Sequence, residues 1–141
     1  MNVELFCPTG KLFRSAQPKT PDDFQQIVDL GITTIIDLEN ESGEAAWEAL
    51  RCHAAGVQFI SLPMSGFWYP QKETVTKALS AMNTTPNTLV HCLHGQDRTG
   101  LIVGMYRRVF QGYSKYQAWD EMCQHGYHPI LLGLTAYYCF N

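Results

Sequence analysis

Between His91 and Gly100 the chain reads His-Cys-Leu-His-Gly-Gln-Asp-Arg-Thr-Gly, which puts a nucleophile, an anion clamp and a turn into one short stretch. Upstream, Thr88-Leu89-Val90 is a short β-prone run; downstream, an apolar run from Leu101 to Gln111 has helical length. The stretch therefore joins a strand to a helix N-terminus. Backbone N–H groups there lack intrahelical partners and the helix dipole adds partial positive charge, so the spot suits a phosphate dianion. Helix N-termini and nearby cations lower a cysteine pKa from about 8.5 to roughly 3.5–7.5, and the thiolate is the reactive form. Cys92 is thus expected to act as a nucleophile near neutral pH. Arg98, six residues on, can bring its planar fork back over an anion held above the sulfur and bind two oxygens at once. Gly95 sits where a tight curl needs a positive φ or an unobstructed inward amide, and Thr99 offers a hydroxyl beside the sulfur.

This pattern resembles the Cys-x5-Arg signature of the cysteine-dependent phosphatases, in the longer form His-Cys-x-x-Gly-x-x-Arg-Thr-Gly. The bare Cys–Arg spacing would be weak, since the chain has five cysteines and ten basic residues. His91, Gly95, Thr99 and Gly100 also match, the strand–loop–helix context is the required one, and none of Cys7, Cys52, Cys123 or Cys139 has an Arg at that spacing. The competing reading makes Cys92 a small core residue and Arg98 a surface ion-pair partner. The resemblance implies Cys92 as nucleophile, residues 93 to 98 (Leu93, His94, Gly95, Gln96, Asp97 and Arg98) as the phosphate cradle, and His91 and Thr99 in support. It calls on no metal and no cofactor. The run from Leu12 to Pro18, Leu-Phe-Arg-Ser-Ala-Gln-Pro, also resembles the entry segment of small bacterial dual-specificity-like phosphatases. Arg14 there is read as a structural ion-pair residue as readily as one leaning toward the site.

Several elements must position this loop. Lys11 to Arg14 reads as a first short strand. Thr20-Pro21-Asp22-Asp23 starts a helix with a capping hydroxyl, proline at the first helical position and acids favouring the dipole. Phe24, Ile27 and Val28 form its apolar face and Gly31 stops it. Ile32 to Leu38 is a buried strand rich in β-branched residues. Ser42 is expected to cap a second helix with Trp47, Leu50 and Ala54 inward, and Val57 to Leu62 returns to the sheet. Pro63 to Pro70 holds two prolines, a glycine and three aromatics, and reads as an ordered lid or pocket wall, the alternative being aromatics packed as satellite core. Val75, Leu79 and Met82 recur at helical spacing. Ser114 and Gln117 form a capping box for a helix with Ala118, Trp119, Met122 and Cys123 inward and Gly126 as its stop. Pro129 can open the last helix, with Leu131, Leu134 and Tyr138 buried. Such alternation implies an α/β fold with a mostly parallel sheet covered on both faces and the ligand at the carboxyl end of a central strand. The resemblance adds that the sheet has four or five strands, with the larger helix cluster on the signature-loop side.

With 141 residues and 45% hydrophobic content, the chain fits one catalytic domain over 1–141 with a real core. Its formal charge of −3 and lack of basic runs speak against nucleic acid or an anionic membrane surface as partner, so phosphate attraction must be local. No apolar run approaches membrane-spanning length and the first residues do not read as a signal peptide; the expectation is a cytoplasmic protein. An odd cysteine count without paired Cys-x-x-Cys spacing argues against a disulfide framework or zinc site. His125 and His128 flank a turn, yet no acid or cysteine nearby completes a ligand set.

The expected activity is phosphomonoester hydrolysis through a cysteinyl-phosphate, of the tyrosine or dual-specificity type. A rhodanese-like sulfurtransferase would not need His91 or Thr99-Gly100, and the low-molecular-weight phosphatases carry their cysteine near the N-terminus. Two alternatives stay open, an inositol-phosphate or phosphoinositide phosphatase and a phosphate-binding module without turnover. The former tend to place Lys or Arg among the loop positions held here by Leu93, His94, Gln96 and Asp97, which favours a phosphotyrosine-like, singly phosphorylated substrate. The general acid departs from the family pattern: the loop over 61–70 has no carboxylate, and no Asp occurs between Asp37 and Asp97. Asp97 is the nearest candidate, in an arrangement that looks like the myotubularin signature, with Glu73 next. Otherwise Asp97 caps the following helix or pairs with a neighbouring base.

Overall fold

The computed structural model describes residues 1–40 and 42–141, the side chain of Ser42 excepted. Five strands form one sheet in the order β1-β2-β5-β3-β4, where β1 is Glu4–Cys7, β2 Leu12–Ser15, β3 Thr34–Asp37, β4 Gln58–Ser61 and β5 Thr88–His91. Only β1 runs antiparallel, against β2; the other three pairings are parallel. The β5 strand lies at the centre, with β2 and β3 on either side. Its four residues are all buried, as a strand covered on both faces requires.

Alternation along the strands divides the core in two. Phe13, Ile35 and Leu89 face the layer of helices α1 (Pro21–Asp29) and α2 (Ser42–Ala55), with Phe24, Ile27 and Cys52. Leu12, Ile36 and Val90 face the opposite layer of α3 (Lys72–Thr84), α4 (Arg98–Phe110), α5 (Lys115–Gln124) and α6 (Leu132–Phe140). The larger helix cluster thus lies on the side where α4 leaves the signature loop, as the resemblance implied.

The capping box expected of Ser114 with Gln117 opens α5, and the hydroxyl expected of Thr20 caps α1, where the Asp23 side chain completes a box that was not expected. Val75, Leu79 and Met82 are the buried stripe of α3. Other expectations need correction. The Lys11–Arg14 strand is the second, not the first; β1 was missed because an edge strand of four residues with half its side chains exposed carries little pattern. In α1, Phe24 and Ile27 are buried but Val28, one helical step of about 100° from Ile27, is exposed. Cys123 is exposed for the same reason, one step past the buried Met122. The largest error is in α2: Leu50 and Ala54 are exposed, and Glu48 and Cys52 point inward. Hydrophobic periodicity cannot see that face, because its central residue is an acid whose partner lies in β5. The cap expected of Ser42 falls on a side chain outside those described. The last helix begins at Leu132 rather than Pro129, since Leu131 N donates to His128 O at 3.0 Å and closes a separate turn.

Candidate active site

The signature loop leaves the carboxyl end of β5 and is pinned from below by the segment after β2. Gln17 N donates to Leu93 O at 3.2 Å, and Arg14 Nη2 donates to Gly95 O at 2.9 Å. Gly95 has φ 72°, and a Cβ there would lie 2.7 Å from the Ser15 carbonyl group and 2.8 Å from Ala16 N. No other residue fits, because conformation and space both exclude a side chain. Arg14, only 4% exposed, is therefore a support of the loop and not a surface ion-pair residue. Burial pulls its pKa down, opposed by the charges of Glu4, Glu121 and Cys92.

Cys92 and Arg98 share one cleft of about 420 Å³. Cys92 forms its floor. Arg98, the first residue of α4, is buried and donates Nη1 to Asn40 Oδ1 at 3.2 Å and Met64 O at 3.1 Å, so two loops outside the signature orient the guanidinium. Leu93, His94 and Asp97 line the same cleft, while Gly95 and Gln96 face a neighbouring one of about 410 Å³ with Arg14, so the Gln96 side chain is turned away from the sulfur. Thr99 is fully buried, and its hydroxyl has no hydrogen-bond partner among the described residues.

The upper wall comes from the loop after β4. Ser65 Oγ accepts from Phe67 N at 3.0 Å and Trp68 N at 3.2 Å, which folds the loop so that Ser65, Gly66 and Phe67 line the cleft. Phe67 and Trp68 are 72% and 78% exposed, so neither is satellite core; Phe67 rims this cleft, whereas Tyr69 packs against Tyr137 with ring centroids 5.2 Å apart.

Below the loop, His91 is fully buried among acids that sequence reasoning left unassigned. Its Nε2 lies 2.5 Å from Glu48 Oε2 and 3.9 Å from Asp37 Oδ1, and its Nδ1 lies 3.5 Å from Glu39 Oε1. Burial alone would lower the imidazole, but Glu39 and Glu48, with the charge of Asp37, outweigh it and hold the pKa up at about 10. Of these contacts only that to Glu48 has hydrogen-bond length. Asp37 is pushed up to about 6, first by burial and then by the charges of Glu48 and Glu39, with His91 and the Glu39 N–H opposing. The 2.5 Å approach is a direct hydrogen bond between His91 and Glu48. Two ligands of one tetrahedral ion with bonds of about 2 Å would sit roughly 3.3 Å apart, so His91 and Glu48 are arranged as a hydrogen-bonded pair with Asp37 beside it rather than as a metal cage.

Of the two acid candidates, Asp97 is at the cleft and Glu73 is not. Glu73 is exposed in the first turn of α3 and outside the residues lining the Cys92 cleft. Asp97 occupies the N-cap of α4 without a side-chain capping bond. Its carboxylate accepts instead from His128 N at 2.8 Å and meets His128 Nδ1 at 2.9 and 3.0 Å. His125 pairs separately, with Glu4 at 2.9 Å, so the two histidines do not converge.

A family model, PTP-SAK, the Swiss Army Knife protein DSP-PTPase phosphatase domain, matches residues 5–130. The chain belongs to this phosphatase-domain family. The dual specificity protein phosphatase TpbA of Pseudomonas aeruginosa is 32% identical over 127 residues, which cover 89% of this chain and 55% of TpbA. The chain thus spans about half the length of the curated relatives it matches. A crystal structure of P. aeruginosa TpbA superposes with TM-score 0.73 at 27% identity, covering 92% of this chain and 80% of that one. A further TpbA structure, in complex with pTyr, gives TM-score 0.72 at 25% identity over 96% and 87% of the two chains. The matched span takes in the Cys92–Arg98 loop and the sheet from Leu5 onward. No helix among the described residues is long and apolar enough to cross a membrane.

Proposed function

We propose that residues 1–141 form a single catalytic domain, a cysteine-dependent phosphomonoester hydrolase of the tyrosine or dual-specificity type acting on phosphotyrosine or a similar singly phosphorylated group. The observation that carries this reading is the guanidinium of Arg98, fixed by Asn40 and the Met64 carbonyl in the cleft whose floor is Cys92. A phosphoryl group entering that cleft meets the loop amides and the Arg98 fork, which hold its equatorial oxygens while Cys92 attacks phosphorus in line with the leaving oxygen. Asp97 gives that oxygen a proton, and water then resolves the cysteinyl-phosphate. The pTyr complex of TpbA supports the substrate class, and the exposed Phe67 rim offers an aromatic phosphate ester a ring contact. Neutral and acidic side chains at Leu93, Gln96 and Asp97 leave the loop without the extra cations that a highly phosphorylated inositol would engage.

The test is phosphate release from phosphotyrosyl peptides, phosphoinositides, inositol phosphates and nucleotides, with Cys92→Ser in parallel. Cys92→Ser should abolish turnover while vanadate still binds the amide cradle and Arg98. Near-parent activity in that variant would refute the covalent mechanism, and binding of phosphopeptides with no release by the parent would make the domain a capture module.

A further inference from the structure

Asp97 has a partner that the mechanism above leaves unused. The loop between α5 and α6 brings His128 against Asp97, a residue lining the cleft, and both its backbone N–H and its ring Nδ1 address the same carboxylate. That loop is firmly built. Tyr127, 4% exposed, packs edge-on to Trp119 and shares a 3.0 Å hydrogen bond with Thr135, whose hydroxyl also donates to Pro129 O at 2.9 Å. Leu131, three residues beyond His128, lines the cleft itself. His128 is 57% exposed and Asp97 21%, so one end of the pair meets solvent and the other the reaction space.

We propose that His128 is a positioning and proton-holding residue for the reaction, acting through Asp97. The inference rests on the reading of Asp97 as general acid. A lone carboxylate must find a fresh proton for every leaving group, whereas imidazole is the side chain that ordinarily titrates between pH 5 and 8. In the first step the Cys92 Sγ–P bond forms and the bond to the leaving oxygen breaks. The Nδ1 proton of His128 passes to the Asp97 carboxylate and from Asp97 to that oxygen, leaving a neutral imidazole, an ionised Asp97 and a neutral alcohol. In the second step water attacks phosphorus and the S–P bond breaks. The proton of water goes to Asp97 and on to Nδ1, so the imidazolium is restored and inorganic phosphate departs. Each turnover consumes one water and returns the pair to its starting state.

The other groups facing the pair are Arg98 at the start of α4, Cys92 and His94 in the loop, and Tyr127 behind His128. Burial pushes Tyr127 up to about 12. His125 is committed to Glu4 on the far cleft and serves as a control.

The experiment compares kcat and KM for a phosphotyrosyl peptide and for para-nitrophenyl phosphate, across pH, in the parent, His128→Ala, Asp97→Asn and His125→Ala. His128→Ala keeps the backbone N–H bond to Asp97. It should lower kcat on the phosphopeptide about tenfold or more, with KM and vanadate inhibition little changed, and cost much less on para-nitrophenyl phosphate, whose good leaving group needs less protonation. The basic limb of the pH profile should change shape in His128→Ala, not in His125→Ala, and added imidazole should restore part of the lost rate. Equal losses on both substrates without imidazole rescue, or no loss, would overturn the role of His128. If Asp97→Asn alone shows the leaving-group selectivity, the general-acid reading survives and this inference fails. If neither variant shows it, both fall.

Discussion

Glu48 offers the sharpest test of how the sheet holds the signature loop. It is fully buried on α2, and its carboxylate meets His91 Nε2 at 2.5 Å, one residue before Cys92. Glu48→Gln keeps shape and a hydrogen-bond acceptor but removes the charge. Breaking a buried ion pair on one side costs about 3–5 kcal/mol. Asp37 and Glu39 remain at 3.9 and 3.5 Å from the ring, which places the expected loss at the lower end, about 3 kcal/mol. Unfolding entropy of about 2.1 cal/mol/K per residue gives roughly 0.3 kcal/mol/K for a chain this long, so Tm should fall by roughly 10 °C. Alkaline pH supplies an independent check. His91 is raised from 6.5 to about 10, so its contribution is complete below pH 6.5 and is lost as pH rises toward 10. At about 1.4 kcal/mol per pH unit, the parent should lose roughly 3 kcal/mol of this contribution between pH 7 and 9.5, and the variant, with fewer carboxylates holding the proton, distinctly less. Thermal unfolding by circular dichroism at both pH values reads both effects. A Tm change under about 3 °C, or an alkaline slope equal to that of the parent, would refute the account of the buried network.

Gly95→Ala should destabilise by more than about 1 kcal/mol and abolish most turnover, because the new methyl meets the Ser15 and Ala16 backbone at 2.7 to 2.8 Å; crystallography of the variant would show the loop displaced. Arg14→Met strands the Gly95 carbonyl, at a cost of about 1–3 kcal/mol, and should weaken vanadate inhibition; unchanged inhibition would free Arg14 of its supporting role. Peroxide should inactivate through Cys92, with early recovery by thiol reductant. Burial raises Cys123, and burial with Glu48 and Asp37 pushes Cys52 up to about 12, so sulfenate trapped first at either would contradict the assignment.

What the sequence made legible and what it hid divide along a physical line. The strand into Cys92, the helix out of it, the glycine at the curl, the Thr20 cap and the Ser114–Gln117 capping box are encoded within a few residues of where they act, so local pattern was enough to read them. Asn40, the Met64 carbonyl and Arg14 act across 34 or more residues of chain, and only the parallel pairing of β2, β5 and β3 brings their loops to one end of the sheet. Glu48 shows the same limit from the other side. Its helix was read one face off because apolar spacing assumes that what is buried is apolar, and here an acid is buried to meet a histidine 43 residues away. A signal was nonetheless present: a strand of buried residues ending in His91 demands a partner for the imidazole, since a buried polar group without one is costly. Asking which acids the α/β order could place behind β5 would have singled out Asp37 on the adjacent strand and, on the covering helix, an acid four residues before Cys52. The general acid follows the same logic. With no carboxylate in the loop over 61–70, the usual pattern gave no position to read, and Asp97 was named from its closeness to Cys92 and the likeness of its place in the loop to the myotubularin signature. Its pairing with His128 comes from the α5–α6 connection, whose turn is set by Tyr127 packing beneath α4, a contact that no local spacing encodes.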